Sequence, residues 1–435
     1  MTVTVPRSDV NPFDADVRRD PYAFYHELQE AGPVVHLTAL DLFAVSRFAD
    51  VQRVLADQRV FSSAQGVAQN ELINGAMAGS IVCTDPPDHT RLRGILGRPL
   101  TPAKLGPMRE DLARRSEEQV ARLLSAGEPV EAVSRIASFL PLTVVTDLVG
   151  MPDDATSRML TWAAAGFNGM GPASMPATGA ALATMGEMME YVSDPTLPDR
   201  LRPDSWSAGL HAASIRGEIP ADQFPSMLQG YLTPSLDTTI FAMSNLLWLL
   251  ATHPEQWEML REQPNLVPRA IHEAIRMESP VQFFSRVATE DTEVDGAPIK
   301  AGSRVFVMYA AANRDPRRYD EPDRFRIDRD SNDHVGFGHS AHRCVGMNLA
   351  IMELTAMLRA LVQQVAAIEL VDQKRADNAI LRGFENLVLR LTPSSPAVAT
   401  GREPKLTKGA RPAGPGRPSG PPPLAQLSLR AKDSL

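Results

Sequence analysis

The residues of this chain best equipped for chemistry are few and lie far apart in sequence. Cys344 closes a glycine-rich stretch, His334-Val-Gly-Phe337-Gly338-His339-Ser340-Ala-His342-Arg343, and stands two residues before Gly346, where the apolar helical pattern of Met347 to Val365 begins. A sulfur at such a loop-to-helix junction lies near unpaired backbone N–H groups and the positive helix end, which favours thiolate over thiol and makes it a metal ligand or a nucleophile. The glycines let backbone approach the sulfur, and Phe337 offers a flat apolar face to a planar cofactor. Against this stands the commoner role of a lone cysteine as a small buried hydrophobe. Cys83 has no comparable context. Asp237 and Thr238 fall inside a long apolar helical pattern, Phe224 to Ala251, where an acid beside an alcohol is costly to bury without partners. His89 and Arg93, just after Asp85-Pro86-Pro87-Asp88, share a helix face and can hold an anion by charge-assisted hydrogen bonds. Glu273 and Arg276 share a face too, although such a pair alone is ordinarily a surface salt bridge of little worth.

The spacing Phe337-x-x-x-x-His342-x-Cys344-x-Gly346 resembles the haem-ligand loop of the cytochrome P450 family, F-x-x-G-x-H-x-C-x-G, with Ser340 at the family's middle glycine. The Asp85-Pro86-Pro87-x-His89-x-x-x-Arg93 run resembles the family's C-helix. Thr233-Pro234-Ser235-x-Asp237-Thr238-Thr239 resembles its A-G-x-D/E-T-T motif with Pro-Ser replacing Ala-Gly. Glu273-x-x-Arg276 resembles its E-x-x-R pair, Ala312 to Arg329 its meander, and Gly346-x-x-Leu349-Ala350-Ile351-x-Glu353 its next helix, with Ile351 in place of an arginine. The resemblance implies haem b (iron protoporphyrin IX) as cofactor, with Cys344 as the proximal thiolate on iron. It places His89, Arg93 and Arg286 at the haem propionates, and Phe337, His342 and Gly346 in the cofactor loop. Asp237 and Thr238 would deliver protons during oxygen activation, beside a kink made by Pro234, which removes a helix hydrogen bond. Glu273 and Arg276 would support the loop below the haem. The expected substrate contacts are Phe167 and Met170 in the roof, Thr233 and Pro234 at the kink, and Phe283 and Phe284 beside the haem.

The elements that must position these groups are mostly helical. Apolar periodicity predicts helices over 21–31, 48–56, 108–124, 136–149, 180–192, 224–251, 254–263, 267–277 and 347–365. Alternation predicts strands over 41–46 and 304–309, and Val294-Asp295-Gly296 signals a hairpin. The expected fold class is mainly α with small β-sheets. The resemblance makes it the P450 fold, a triangular helical prism around haem with a β-rich N-terminal lobe, over residues 1–393. Residues 394–435 turn to Pro, Gly, Ser and basic side chains, which bury too little apolar surface to offset their ordering entropy. A disordered basic tail, or a linker to a reductase domain, is expected there.

At 435 residues and 43% hydrophobic the chain can bury a large core, and a net charge of −8 argues against nucleic-acid binding, which calls for a basic face. No apolar run reaches the roughly 18 residues of a membrane span. The N-terminus has no signal-like stretch, and two cysteines without a CxxC fit a reducing cytoplasm. The implied function is a haem-thiolate monooxygenase that inserts one atom of O2 into a small organic substrate by hydroxylation or O-demethylation. A non-turnover haem sensor and a peroxide-using peroxygenase are the alternatives, and the Asp237–Thr238 pair disfavours both. The chain has no flavin or Fe–S motif, so electrons are expected from a separate ferredoxin with its reductase. Arg91, Arg98, Arg109 and Arg343, which the fold would gather at the proximal face, are the expected dock for an acidic ferredoxin. The Phe167-x-x-Met170-Gly-Pro172 run resembles family members that oxidise para-substituted aromatic acids, yet Gln229 stands where that subgroup has a basic residue. A neutral amide offers a carboxylate no compensating positive charge, so the expected substrate is compact and mostly apolar, aromatic or terpenoid, with a neutral polar end.

Overall fold

The computed structural model describes residues 4–394, so the expected tail or linker falls, from residue 395 on, outside the described residues. Two helices apolar on nearly every side, Asp237–Thr252 and Met347–Gln364, run through the interior, as helices without a polar face must. Val267–Met277 packs on both, and the amphipathic Arg109–Ala126 covers Met347–Gln364 from outside. Trp162 and Phe384 are fully buried in the core around them.

The largest sheet joins N-terminal strands to two from much later in the chain, in the strand order Arg7–Ser8, Val35–Leu37, Leu42–Val45, Arg304–Val307, Phe284–Ala288, Phe61–Ser62. Its register sets Arg286 opposite Val305 and Phe284 opposite Val307. Since side chains alternate along a strand, Phe284 and Arg286 share one face. Val365–Arg375, Phe384–Pro393 and Val130–Glu131 form a second sheet. The predicted hairpin joins Thr292–Val294 to Ala297–Ile299, with Asp295 and Gly296 at φ of 45° and 77°, the left-handed pair that a two-residue turn requires.

Three predicted elements differ. Residues 136–149 are not a regular α-helix: two wide turns, Val133–Ala137 and Pro141–Val145, precede Thr146–Val149. Ser138 N–H reaches the Val133 carbonyl at 2.8 Å, and Pro141, with no N–H, cannot continue an α ladder. The strand expected over 304–309 stops at Val307, because Tyr309–Ala312 turns helical. The pattern from Phe224 to Ala251 is two helices, Phe224–Leu232 and Asp237–Thr252, separated by a full break. Pro234 therefore does more than kink the helix.

Candidate active site

The cysteine loop is held from beneath by a buried ionic clamp. Arg276 donates from Nε and Nη2 to the two Glu273 carboxylate oxygens at 2.7 and 2.9 Å, and Arg329 Nε adds a third bond at 3.1 Å. Both Glu273 and Arg276 side chains are fully buried, so the exposed salt bridge that their spacing alone suggests is not what forms. The remaining Arg276 nitrogen donates to the Asn313 and Pro322 carbonyls, each at 2.8 Å, and Asn313 Oδ1 accepts the Val335 N–H at 2.8 Å. A rigid path thus runs from the helix to the start of the loop. Breaking a buried pair of this kind leaves an uncompensated charge and costs about 3–5 kcal/mol.

Within the loop, Cys344 N–H donates to the Phe337 carbonyl at 2.8 Å. Gly338 has φ of 72° and Ser340 φ of 56°, so the serine carries a left-handed conformation that favours glycine. Cys344 is exposed and lines a cavity of about 280 Å³. Burial pushes its thiol above the ordinary value, against the opposing pull of the Gly346 N–H, Arg93, the Met347 N–H and Arg343. The expected N–H groups are present, but burial outweighs them; a bound cation is what would hold the thiolate.

On another wall of the same cavity the His89 and His342 rings lie 4.0 Å apart, flanked by Arg93 and Arg286. Neither nitrogen of His89, nor Nε2 of His342, has a hydrogen-bond partner. Burial and then the nearby arginines hold both rings neutral, His342 pushed down to about 2. Two guanidiniums and two unpaired imidazoles form a site short of an anion. That set fits the carboxylates of a haem, and the thiol fits its iron.

Thr238 and Thr239 face the cavity from the far side, and Thr238 Oγ1 donates to the Pro234 carbonyl at 2.9 Å, an acceptor that the break frees from the helix ladder. Asp237 sits behind them, 6% exposed, and burial raises its carboxyl to about 7. A carboxyl near that value can give and recover a proton at neutral pH. Phe167, Met170, Thr233, Pro234 and Phe284 line the cavity. Phe283 does not: one residue before Phe284, it turns the other way and stacks on Phe306 at 4.7 Å and against Phe13 at 5.6 Å. Sequence reasoning missed Met77, Val82 and Met185, which also line the cavity; an apolar residue facing inward reads the same whether it meets core or cavity. Glu353, appreciated only as part of a motif, is a second lone acid beside the cavity, pushed up to about 8 by burial, with Oε1 unpartnered.

A thiol, an anion-hungry wall and an acid–alcohol pair around one cavity, on this helical fold, define a haem-thiolate oxidoreductase. The chain belongs to the cytochrome P450 family. The family model for cytochrome P450 matches residues 230–384. Cytochrome P450 CYP199A2 of Rhodopseudomonas palustris is 36% identical over 394 residues, 90% of this chain and 95% of that one. The linalool 8-monooxygenase of Pseudomonas putida is 30% identical over 89% of this chain and 99% of that one. Among solved structures, that of CalO2 superposes with a TM-score of 0.77 at 29% identity, covering 88% of this chain and 99% of that one. Among the described residues no helix is long and apolar enough to cross a membrane.

Proposed function

We propose that this P450 inserts one oxygen atom from O2 into a small organic substrate, by hydroxylation or O-demethylation, using haem b and electrons from a separate ferredoxin and its reductase. The observation that carries this reading is the gathering of Cys344, the His89–His342 and Arg93–Arg286 wall, and the Thr238 hydroxyl around one cavity. Cys344 would ligate iron, His89, Arg93, Arg286 and His342 would hold the propionates, and Phe337 and Gly346 would shape the loop around the sulfur. Haem bound there supplies oxygen activation, with thiolate donation favouring O–O cleavage. Thr238 offers its hydroxyl oxygen at the cavity wall as an acceptor, its own proton donated to the Pro234 carbonyl, and Asp237 serves as the proton source; apolar Phe167, Met170 and Phe284 enclose the substrate. With purified ferredoxin and reductase under ¹⁸O2, one labelled atom should enter a hydroxylated product; unlabelled product would refute the assignment.

The electron partner is proposed to dock on a narrower patch than the sequence suggests. Arg98 pairs with Glu218, and Arg91 donates to the Glu218 carbonyl at 2.7 Å and lies 3.5 Å from Asp88. Among the described residues Arg109 and Arg343 are exposed without an ion pair, and they remain as the anchors for an acidic surface. Turnover should slow as salt rises; rates that do not move with ionic strength would refute this docking mode. A reducing cytoplasm is the proposed compartment, in which the free Cys83 and Cys344 would stay reduced.

A further inference from the structure

One wall of the cavity is polar yet uncharged. Ser226, Gln229, Gly230, Thr233 and Pro234 all face it from the Phe224–Leu232 helix and the break that follows, and their spacing of three and four makes them one stripe. Gln229 is 5% and Thr233 7% exposed. Neither Gln229 Oε1 nor Thr233 Oγ1 has a hydrogen-bond partner. Thr233 is held in place by its methyl, which occupies the space left by Gly166: a Cβ there would lie 1.9 Å from Thr233 Cγ2. The cations lining the cavity, Arg93, Arg286 and Arg343, belong to the histidine wall and the cysteine loop, and the Phe224–Leu232 helix carries none. A carboxylate brought to the stripe would lose its water without gaining an opposite charge. A group with no donor would leave the buried Gln229 Oε1 unpaired, since an amide oxygen can only accept.

Resting on the reading of this cavity as a substrate site, we infer that Gln229 and Thr233 are a specificity-determining pair that anchors a neutral hydrogen-bond donor, a hydroxyl or a primary amide, at one end of an otherwise apolar substrate. The holoenzyme is titrated with a matched para-tolyl series, the alcohol, primary amide, methyl ester and acid, following the shift of the haem absorption band and, independently, heat of binding. The alcohol and amide should bind about tenfold more tightly than the ester and acid. That preference should vanish in Gln229→Leu and Thr233→Val and survive in Thr233→Ser, which keeps the hydroxyl. Tightest binding of the acid, equal affinity across the series, or a preference retained by both apolar variants would overturn the assignment. The unmutated protein's thiolate-type carbon monoxide band tests the haem reading separately, so a protein that shows the band without donor preference sinks this inference alone.

Discussion

Thr238 is the residue on which the proposed oxygen activation depends most narrowly. Its hydroxyl donates to the Pro234 carbonyl, which leaves the oxygen lone pairs to accept a bond, and Asp237 is the proposed proton source. Thr238→Ala removes the acceptor while leaving the cavity shape nearly intact. The variant should still consume electrons and O2 but release hydrogen peroxide, with product formed per electron falling several-fold, and Thr238→Ser should recover much of the yield. Equal product per electron in parent and alanine variant would count against the relay. Residues of this kind were legible because an acid and an alcohol are conspicuous in an apolar helix. Phe283 was misread because adjacent strand residues point to opposite faces, and the strand's phase depends on pairing with Arg304–Val307, a partner that is distant in sequence.

At the scale of elements, the loop below the cavity is where local preference and tertiary demand conflict. Ser340 holds φ of 56°, a conformation that costs a side-chain-bearing residue about 1–2 kcal/mol. Glycine would remove that cost while adding freedom to the unfolded chain, so Ser340→Gly should raise unfolding free energy by about 0.5–1 kcal/mol. Denaturant melts that show a loss of stability would mean that the serine side chain makes a compensating contact. The sequence pattern located this loop and the helices that bracket it, because Cys344, His342 and Phe337 keep a fixed spacing. It could not show how far Pro234 disrupts its helix. Apolar periodicity runs straight through the break, and only the missing hydrogen bonds of the folded chain reveal two helices instead of one.

Across the whole molecule, buried carboxylates govern how stability depends on pH. Glu353 and Asp237 are pushed up to about 8 and about 7 by burial, so the native state keeps protons that the unfolded chain gives up near the ordinary carboxylate value. Their contribution therefore falls as pH rises from that value through about 8. Glu278 has the opposite sign. Although burial raises its pKa, Arg382, Arg375 and Arg314 around it, with a Tyr22 hydrogen bond, bring it down to about 2, so its stabilisation is complete above its ordinary value and is lost as pH falls toward 2. Thermal melts across neutral pH should flatten in Glu353→Gln; an unchanged slope would mean that Glu353 is not protonated in the folded protein. None of this was readable in sequence, since the Glu278 cluster draws side chains from both ends of the chain. On the proposed reading, Cys344 holds haem iron as a thiolate. The most direct measurement is the absorption spectrum of the reduced, carbon-monoxide-bound protein. The parent should show the red-shifted band of thiolate ligation and Cys344→Ser should lose it, whereas a serine variant that keeps the band would contradict the account.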